Sequence, residues 1–312
     1  MKPFLVVNPR SAGGATGRHF DTIVQAVRNA LGDCAHAFTE RPLHAIELTR
    51  KALADSYDLI IAVGGDGTIN EVVNGFFEEP RPGEPVKPIR AGAALGVLPR
   101  GTGGDLRRTI GLDGDVWRSA ARLKAEPGPV DVGRVDYQDD EGRPASRYFI
   151  NVGGTGVGAK VVDIANASSK VLGGKLTFMI SSMRALASWR DVDLRVSIDG
   201  GPAEDHSVTS FAVANGRYFG GGMMVAPEAR LDDGIFHLTI WKGFTLLDFV
   251  LKQGAMYDGS HVRLKGTSTA TAKTVRIEAR GTEPVGIEVD GERIGRLPAT
   301  FSVQPGALRI VR

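Results

Sequence analysis

Short apolar segments that alternate with helical patterns set the strongest constraint on the fold of this chain. The segments comprise residues 4–7, 35–38, 59–63 and 95–98. They are too short and too continuous for surface helices, and they are typical of strands buried on both faces. Residues 20–31 lie between two of them and carry apolar side chains at helical spacing. Strand alternating with helix predicts a parallel sheet with right-handed crossovers.

The sequence pattern changes near residue 134. Beyond it, apolar and polar residues alternate in short segments, and Asp-Gly pairs at 199–200, 233–234 and 290–291 mark turns between them. We therefore predict two domains. Residues 1–134 form an α/β domain with a parallel sheet, and residues 135–312 form a β-rich sandwich with helical insertions near 158–189 and 245–256.

Glycine-rich loops follow three of the four predicted strands of the first domain. The chain has 41 glycines in 312 residues, and the loops at 8–14, 64–68 and 99–105 are rich in them. Ligands of such sheets bind beyond the carboxyl ends of the strands. Without a Cβ, backbone N–H groups can approach an anion closely. The loops therefore predict a polyphosphate site, although the G-x-x-x-x-G-K-[ST] and G-x-G-x-x-G patterns are absent from them.

Two carboxylates follow strands at the same predicted edge. Asp66 stands among three glycines of the third loop, and Asp105 ends the fourth loop. Mg²⁺ retains much of its hydration and takes one or two carboxylates. Asp66 and Asp105 are therefore candidate Mg²⁺ ligands that act through water.

Charge and cysteine content exclude several classes of function. Lys plus Arg (38) nearly balance Asp plus Glu (36), so no strong basic field predicts nucleic-acid binding. The single cysteine, Cys34, excludes an intramolecular disulfide and an all-cysteine metal site. The first residues lack the long apolar run of a signal peptide. We expect a cytoplasmic protein.

The loop sequences resemble a known family. The segments IAVGGDGTINEV (61–72) and LPRGTGGDL (98–106), with Asn8-Pro9 after the first strand, resemble the diacylglycerol kinase catalytic domain. APEARLDDG (226–234) and VDGE (289–292) extend the resemblance to the small soluble bacterial lipid kinases, which share this domain with sphingosine and ceramide kinases. The resemblance implies a fold shared with NAD kinases and transfer of phosphate from ATP to a lipid hydroxyl.

The resemblance also assigns residues to ATP and Mg²⁺. The residues implied for ATP are Asn8, Pro9, Arg10, Ser11, Ala12, Thr39, Gly64, Gly65, Asp66, Gly67, Thr68, Ile69, Asn70 and Thr102. The carboxylates implied for the catalytic Mg²⁺ network are those of Asp66, Asp105 and Asp131. A second, structural Mg²⁺ is implied at Asp233 with the carbonyls of Arg230 and Ile235.

The proton acceptor for the lipid hydroxyl is implied at Asp290-Gly291-Glu292. From the residues alone, Asp-Gly between apolar residues predicts a plain hairpin turn, and only the resemblance distinguishes Glu292. Because an alcohol needs a carboxylate to take its proton, we assign Glu292 as the base, aided by Asp290, with Asp66 as the rival.

Two departures from the family pattern keep alternatives open. Relatives usually carry Asn where this chain has Gly104, and often carry an aromatic residue and Asp where it has Val157 and Gly158. An NAD kinase and a nucleotide-binding protein without kinase activity are the alternative functions. The oligomeric state is also open, with a homodimer among the alternatives.

A lipid acceptor implies transient contact with the inner face of the membrane. Basic residues that could support this contact, because anionic lipids attract them, include Arg107, Arg108, Arg118, Arg122 and Lys124.

Overall fold

The computed structural model describes residues 1–101, 103–168 and 174–312, without the side chains of Asn166 and Lys175. Thr102, one of the residues predicted to bind ATP, lies outside the described residues. None of the helices in the described part of the chain is long and apolar enough to cross a bilayer.

A parallel sheet forms the centre of the N-terminal region, as predicted. Its strands are β1 (Pro3–Val7), β2 (Ala35–Phe38), β3 (Leu59–Gly64) and β4 (Ala94–Pro99), in the spatial order β2-β1-β3-β4. All three pairings among them are parallel. Every residue of β3 is buried, which explains why this segment is continuously apolar.

Helices cover both faces of this sheet. They are α1 (Ala15–Arg18), α2 (Phe20–Leu31), α3 (His44–Ala54), α4 (Asp66–Gly75), α5 (Asp105–Thr109) and α6 (Val116–Arg122). One apolar cluster joins the sheet to α3 and α4, and another joins it to α2 and α6. Helix α2 ends at Gly32, whose φ of 84° suits glycine.

The C-terminal region is a β-rich assembly with helical insertions, also as predicted. Its strands are β5 (Gly128–Gln138), β6 (Pro144–Phe149), β7 (Val152–Gly156), β8 (Val192–Ile198), β9 (Glu204–Val208), β10 (Ser210–Ala214), β11 (Phe236–Trp241), β12 (Thr267–Ala272), β13 (Thr274–Ala279), β14 (Gly286–Val289) and β15 (Glu292–Ile310). The inserted helices are α7 (Val157–Ala167), α8 (Gly174–Ala187), α9 (Leu246–Leu251) and α10 (Gln253–Asp258), with a 3₁₀ helix at Ser260–Arg263. Four buried phenylalanines, at 149, 211, 236 and 301, belong to its main core.

Strand β15 joins the two regions. It pairs antiparallel with β5, β13 and β14, and its last residues then pair parallel with β4, with Arg309 opposite Ala94. The N–H of Val311 continues this pairing by donating to Leu95 O at 2.9 Å. The predicted boundary at residue 134 falls inside β5, because the two regions share one hydrogen-bonded sheet.

Asn74 fastens α4 to the C-terminal region. Its Nδ2 donates to the Tyr148 carbonyl at 2.9 Å, and its Oδ1 accepts from the Tyr148 N–H at 3.0 Å. The Asn74 side chain therefore pairs with β6 as a neighbouring strand would. Asn74 is 4% exposed, so water cannot replace these bonds.

We expect the substitution Asn74→Leu to lower the free energy of unfolding by about 1–3 kcal/mol, because the buried Tyr148 N–H loses its acceptor. Denaturant unfolding measures this change. The matched control is Asn29→Leu on the exposed face of α2, which should change stability by less than about 0.5 kcal/mol. Equal stability of the two variants would contradict the role given to Asn74.

Candidate active site

A cleft of about 780 Å³ lies at the carboxyl edge of the parallel sheet. The first, third and fourth loops form one side of it, as the glycine pattern predicted. Residues of α7, α8, β14 and the loop at 219–221 form the other side. The site is therefore built by both halves of the chain.

The third and fourth loops touch through their backbones. A Cβ built on Gly101 would lie 2.4 Å from the Gly65 Cα, and one built on Gly65 would lie 3.2 Å from the Gly101 Cα. The Arg100 N–H donates to the Gly64 carbonyl at 2.8 Å beside this contact. Glycine is required at 101, because a Cβ there would overlap the backbone of Gly65, and at 65 a Cβ would push the loops apart by a few tenths of an ångström.

The Asp66 carboxylate caps helix α5. It accepts hydrogen bonds from the N–H groups of Gly104 at 2.7 Å, Asp105 at 3.1 Å and Leu106 at 3.3 Å. Asp66 is also the first residue of α4. One carboxylate thus fixes the start of two helices relative to each other.

Gly104 fits the conformation of this loop. Its φ of 65° lies in the left-handed region, which glycine adopts freely and asparagine adopts more readily than most residues. Its carbonyl accepts from Arg108 Nη1 at 2.9 Å. A Cβ at this position would lie 2.5 Å from Arg107 Nε, so glycine leaves room for the Arg107 side chain.

Asp105 is a buried carboxyl group beside Asp66. Its Oδ2 accepts from the Gly221 N–H at 3.0 Å, and Arg108 Nη1 lies 3.5 Å from its Oδ1. Burial, and then the negative charge of Asp66, raise the pKa of Asp105 to about 7. A bound cation would offset this repulsion, so the pair fits an ion that takes two carboxylates and water.

The first loop is tied to the third by Asn8. Its Nδ2 donates to Thr68 Oγ1 at 3.0 Å, and its Oδ1 accepts from the Arg10 N–H at 3.0 Å. Ser11 Oγ donates to the Asn8 carbonyl at 2.9 Å. These bonds order the loop beside the N-terminus of α4, where the helix dipole favours an anion.

Asp290 and Gly291 form the hairpin turn between β14 and β15, with φ values of 48° and 82°. The Asp290 carboxylate accepts from the N–H groups of Ile150, Asn151 and Val152 at 2.9–3.0 Å and from Asn70 Nδ2 at 2.8 Å. Burial raises the pKa of Asp290, while these bonds oppose the shift. Asp290 therefore forms part of the hairpin turn and also links this turn to α4 through Asn70.

Glu292 lies above the first turn of α4. A Cβ built on Gly67 would lie 2.8 Å from its Oε1. Its Oε2 accepts from Arg147 Nη2 at 2.9 Å, and the same Nη2 donates to Asn70 Oδ1 at 2.8 Å. Arg147 and Asn70 therefore hold Glu292 close to the helix terminus that faces the glycine-rich loops.

The structure brings most of the predicted residues to the cleft. Those that line it are Asn8, Arg10, Ser11, Ala12, Gly65, Asp66, Gly67, Thr68, Ile69, Asp105 and Asp290. Among the described residues, the following predicted ones do not line it: Pro9, Thr39, Gly64, Asn70, Glu292, Asp131, Arg230, Asp233 and Ile235. Asn70 is fully buried behind the cleft and acts through Asp290 and Arg147.

Asp131 has partners other than Asp66 and Asp105. Its carboxylate is 3% exposed and accepts from the N–H groups of Gly234 at 2.7 Å and Gly306 at 2.8 Å. Across the described residues, no three acidic, His or Cys side chains are grouped to hold a metal ion. These contacts show that Asp131 joins two turns of the C-terminal region, and its part in a Mg²⁺ network through water stays a prediction.

Asp233 is likewise satisfied by protein groups. His237 Nε2 lies 3.1 Å from its Oδ2, and the Ile235 N–H donates to its Oδ1 at 3.3 Å. These bonds hold the Asp233 carboxylate in place, and the second Mg²⁺ at Asp233 with the carbonyls of Arg230 and Ile235 stays a prediction.

Sequence reasoning missed three polar residues of this region. Arg147 holds Glu292, and the Asn151 N–H donates to Asp290 at 2.9 Å. Glu288 lines the cleft although it stands between apolar residues of β14, where alternation favours an exposed position. All three lie on strands or turns whose neighbours in space are far away in sequence, so no local motif marks them.

We expect Asp131→Asn to lower the free energy of unfolding by about 1–3 kcal/mol, because the buried carboxylate accepts from two N–H groups and an amide has only one acceptor oxygen. Binding of Mg²⁺·ATP should stay unchanged. Denaturant unfolding and calorimetry measure the two effects, with Asp33→Asn as the exposed control. Weakened Mg²⁺·ATP binding at unchanged stability would restore Asp131 to the metal network.

Comparison with protein families matches both halves of the chain. Residues 2–135 match the Diacylglycerol kinase catalytic domain, and residues 151–312 match the YegS C-terminal NAD kinase beta sandwich-like domain. The first match contains the three glycine-rich loops, and the second contains the hairpin at Asp290.

Relatives that align with this chain over most of their length are named diacylglycerol kinase. A diacylglycerol kinase from Bacillus subtilis (strain 168) is 28% identical over 299 residues, which are 95% of this chain and 91% of the relative. One from Staphylococcus haemolyticus (strain JCSC1435) is 31% identical over 301 residues, covering 95% of this chain and 84% of the relative.

Solved structures share the fold. A putative diacylglycerol kinase from Bacillus anthracis str. Sterne aligns with a TM-score of 0.75 at 24% identity, covering 99% of this chain and 96% of that one. A yeast NADH kinase aligns with a TM-score of 0.51 at 11% identity, covering 99% and 78%. The chain belongs to the diacylglycerol kinase family, with the catalytic domain followed by the YegS C-terminal domain.

Proposed function

We propose that this protein transfers the γ-phosphoryl group of ATP to the hydroxyl group of a lipid, with diacylglycerol as the first acceptor to test. The observation that carries the proposal is the two-ended cleft. One end has glycine-rich loops and the carboxylates of Asp66 and Asp105, and the other end adjoins an apolar chamber. A polyphosphate and an acyl chain need these opposite environments within one site.

The nucleotide end binds the phosphates mainly through backbone N–H groups. The first loop and the first turn of α4 present them, and the helix dipole adds a partial positive charge. Arg10 lines the same end and is exposed, so its cation can contact a phosphate. Thr39 and Thr102 remain proposed contacts of the nucleotide. Gly64, the last residue of β3, does not line the cleft and is proposed to fix the conformation of the third loop.

Asp66 and Asp105 are the proposed Mg²⁺ ligands, through water. When bound, Mg²⁺ neutralises charge on the phosphates during transfer. The N–H bonds to the Asp66 carboxylate and to Asp105 hold both groups in place before any ion arrives.

Glu292 is the proposed proton acceptor. As the lipid oxygen forms its bond to the γ-phosphorus and ADP leaves, Glu292 takes the hydroxyl proton. Its position above α4, 2.8 Å from a Cβ built on Gly67, supports this role. Arg147 orients the carboxylate, and Asp290 holds Asn70, which in turn accepts from Arg147. Asp66 is the rival base, although its carboxylate already caps α5.

The apolar chamber is proposed to receive the lipid tail. Its volume of about 50 Å³ is much smaller than an acyl chain, so its lining, which includes Phe178, Phe219, Trp241, Phe249 and Met256, must move apart to admit one. Gly158, Phe178 and Phe219 line both the chamber and the cleft, so the two spaces adjoin. Flexible Met256 and the aromatic side chains can adjust to a chain that enters.

Helix α9 is the proposed contact with the membrane. Phe249 faces the chamber and is 5% exposed, while Leu247, Val250 and Leu251 are 66%, 51% and 73% exposed. A helix with apolar residues on both faces suits a bilayer surface. Of the basic residues predicted for this contact, Arg108 donates to loop carbonyls, whereas Arg118 pairs with Asp113 at the surface and stays 80% exposed. This contact would be transient and would lie at the inner face of the membrane.

The decisive experiment supplies Mg²⁺ and γ-labelled ATP with diacylglycerol, ceramide, sphingosine, phosphatidylglycerol or NAD as acceptor. We expect label in an organic-extractable product, because the cleft joins a phosphate end to an apolar chamber. Label only in NADP would favour the NAD kinase alternative. No label in any acceptor would favour a nucleotide-binding protein without kinase activity.

Two variants test the assigned roles in the same assay. Asp66→Asn keeps a capping side chain but loses charge, so kcat should fall by about 10²–10³-fold. Glu292→Gln should lower kcat by about 10²–10⁴-fold with an unchanged KM for ATP. Exposed Glu79→Gln is the control. Normal turnover in Glu292→Gln would remove the base assignment.

The triple variant Leu247→Gln, Val250→Gln, Leu251→Gln tests the membrane contact. We expect binding to phosphatidylglycerol vesicles to weaken by at least about tenfold, because apolar area no longer leaves water. Activity on a short-chain acceptor below its aggregation concentration should be unchanged. Trp117→Gln, which removes a 42% exposed apolar side chain from α6, is the control. Unchanged vesicle binding in the triple variant would exclude α9 as the contact.

A further inference from the structure

Glu288 is a buried acid in the cleft to which the proposed reaction gives no task. It lies on β14 between Ile287 and Val289 and is 6% exposed. The backbone N–H of Gly291 lies near its carboxyl group and opposes the rise of its pKa. Burying a carboxyl group is costly unless its polar atoms find partners, and this one lines an open cleft.

The Glu288 carboxyl group lies at the boundary between the cleft and the apolar chamber. A Cβ built on Gly158 would be 3.4 Å from Glu288 Oε1 and 3.8 Å from its Cγ. Gly158 is one of the residues that line both spaces. Because Gly158 has no side chain, the carboxyl group of Glu288 is the polar group that lies next to position 158 at this boundary.

The protonation state of the Glu288 carboxyl group determines which kind of ligand atom it can bind. Burial, and then the negative charges of Asp290 and Asp105, raise the pKa of Glu288 to about 8. At neutral pH the group is therefore mostly the uncharged acid, which has one O–H donor. An uncharged oxygen is the acceptor that suits such a donor in a buried site.

An acceptor lipid has its own boundary between a polar and an apolar part. Its reacting hydroxyl must face Asp66 and the first turn of α4, beside which the proposed base Glu292 lies. Its tails must face the chamber. The linkage between them, an ester in diacylglycerol, then falls beside Gly158 and Glu288. A carbonyl oxygen there would accept a hydrogen bond that an ether linkage accepts poorly.

We propose that Glu288 is a specificity-determining residue, whose carboxyl group donates a hydrogen bond to the carbonyl oxygen of the linkage that joins the phosphorylated hydroxyl to the lipid tails. The proposal rests on the proposed lipid kinase activity. It predicts that the enzyme distinguishes ester-linked from ether-linked acceptors of equal chain length.

The test compares dioctanoylglycerol with dioctylglycerol ether in mixed micelles. Wild type, Glu288→Gln, Glu288→Leu and Glu288→Met are assayed for kcat/KM with each acceptor and for the KM of ATP. The control is Glu283→Leu, an exposed glutamate on the loop before β14. Thermal unfolding verifies that each variant is folded, and Met provides a flexible apolar side chain if Leu does not pack.

We expect wild type and the control to prefer the ester by about 10- to 100-fold, since a site built to hydrogen-bond a group discriminates against its absence. Glu288→Gln keeps an N–H donor and should retain most of this preference. Glu288→Leu and Glu288→Met should reduce it to about twofold or less, with an unchanged KM for ATP.

Two results would overturn the proposal. One is an unchanged ester preference in the apolar variants. The other is an equal loss of kcat/KM for both acceptors, which indicates a structural role for Glu288. These results differ from failure of the proposed function, in which wild type labels neither acceptor.

Discussion

The backbone contact between Gly65 and Gly101 is the constraint on which the site depends. It brings the loops after β3 and β4 so close that no side chain fits between them. The Asp66 carboxylate can then reach the N–H groups at the start of α5. A side chain at 101 would separate the loops, and with them the backbone proposed to bind phosphate and the Asp66–Asp105 pair. Tight packing of the loops therefore determines the electrostatics of the cleft.

Helix α4 transmits this geometry across the interface between the two halves. Its first turn faces the loops and Glu292, its middle carries Asn70 to Asp290, and its last turn carries Asn74 to Tyr148. Both asparagines are almost fully buried. Their amides use donor and acceptor atoms together, so the helix has one allowed rotation relative to the C-terminal strands. Helix α4 thus aligns the proposed base with the glycine-rich loops.

Local patterns in the sequence were sufficient for the layout of the fold. The β1–β4 segments and the Asp290-Gly291 turn follow from apolar runs and turn chemistry, which act over a few residues. The glycine loops likewise predicted the cleft edge. The partners of Asp131 could not be predicted, because its acceptor oxygens bond N–H groups at 234 and 306. The burial of Glu288 could not be predicted either, because it results from the packing of α7 against β14. Such contacts depend on tertiary placement, and a single sequence does not encode them in any short motif.

Strand β15 limits how the cleft can open. Because this strand is hydrogen-bonded to β5 and, at its end, to β4, rotating the two halves as separate bodies would break sheet pairings. A hinge of the kind found in two-lobed enzymes is thus disfavoured here. Elements outside the shared sheet can move without breaking these pairings, and among them α8 and α9 border the apolar chamber through Phe178 and Phe249. If the chamber receives the acceptor as proposed, movement of these two helices would open its entry route beside the proposed membrane contact.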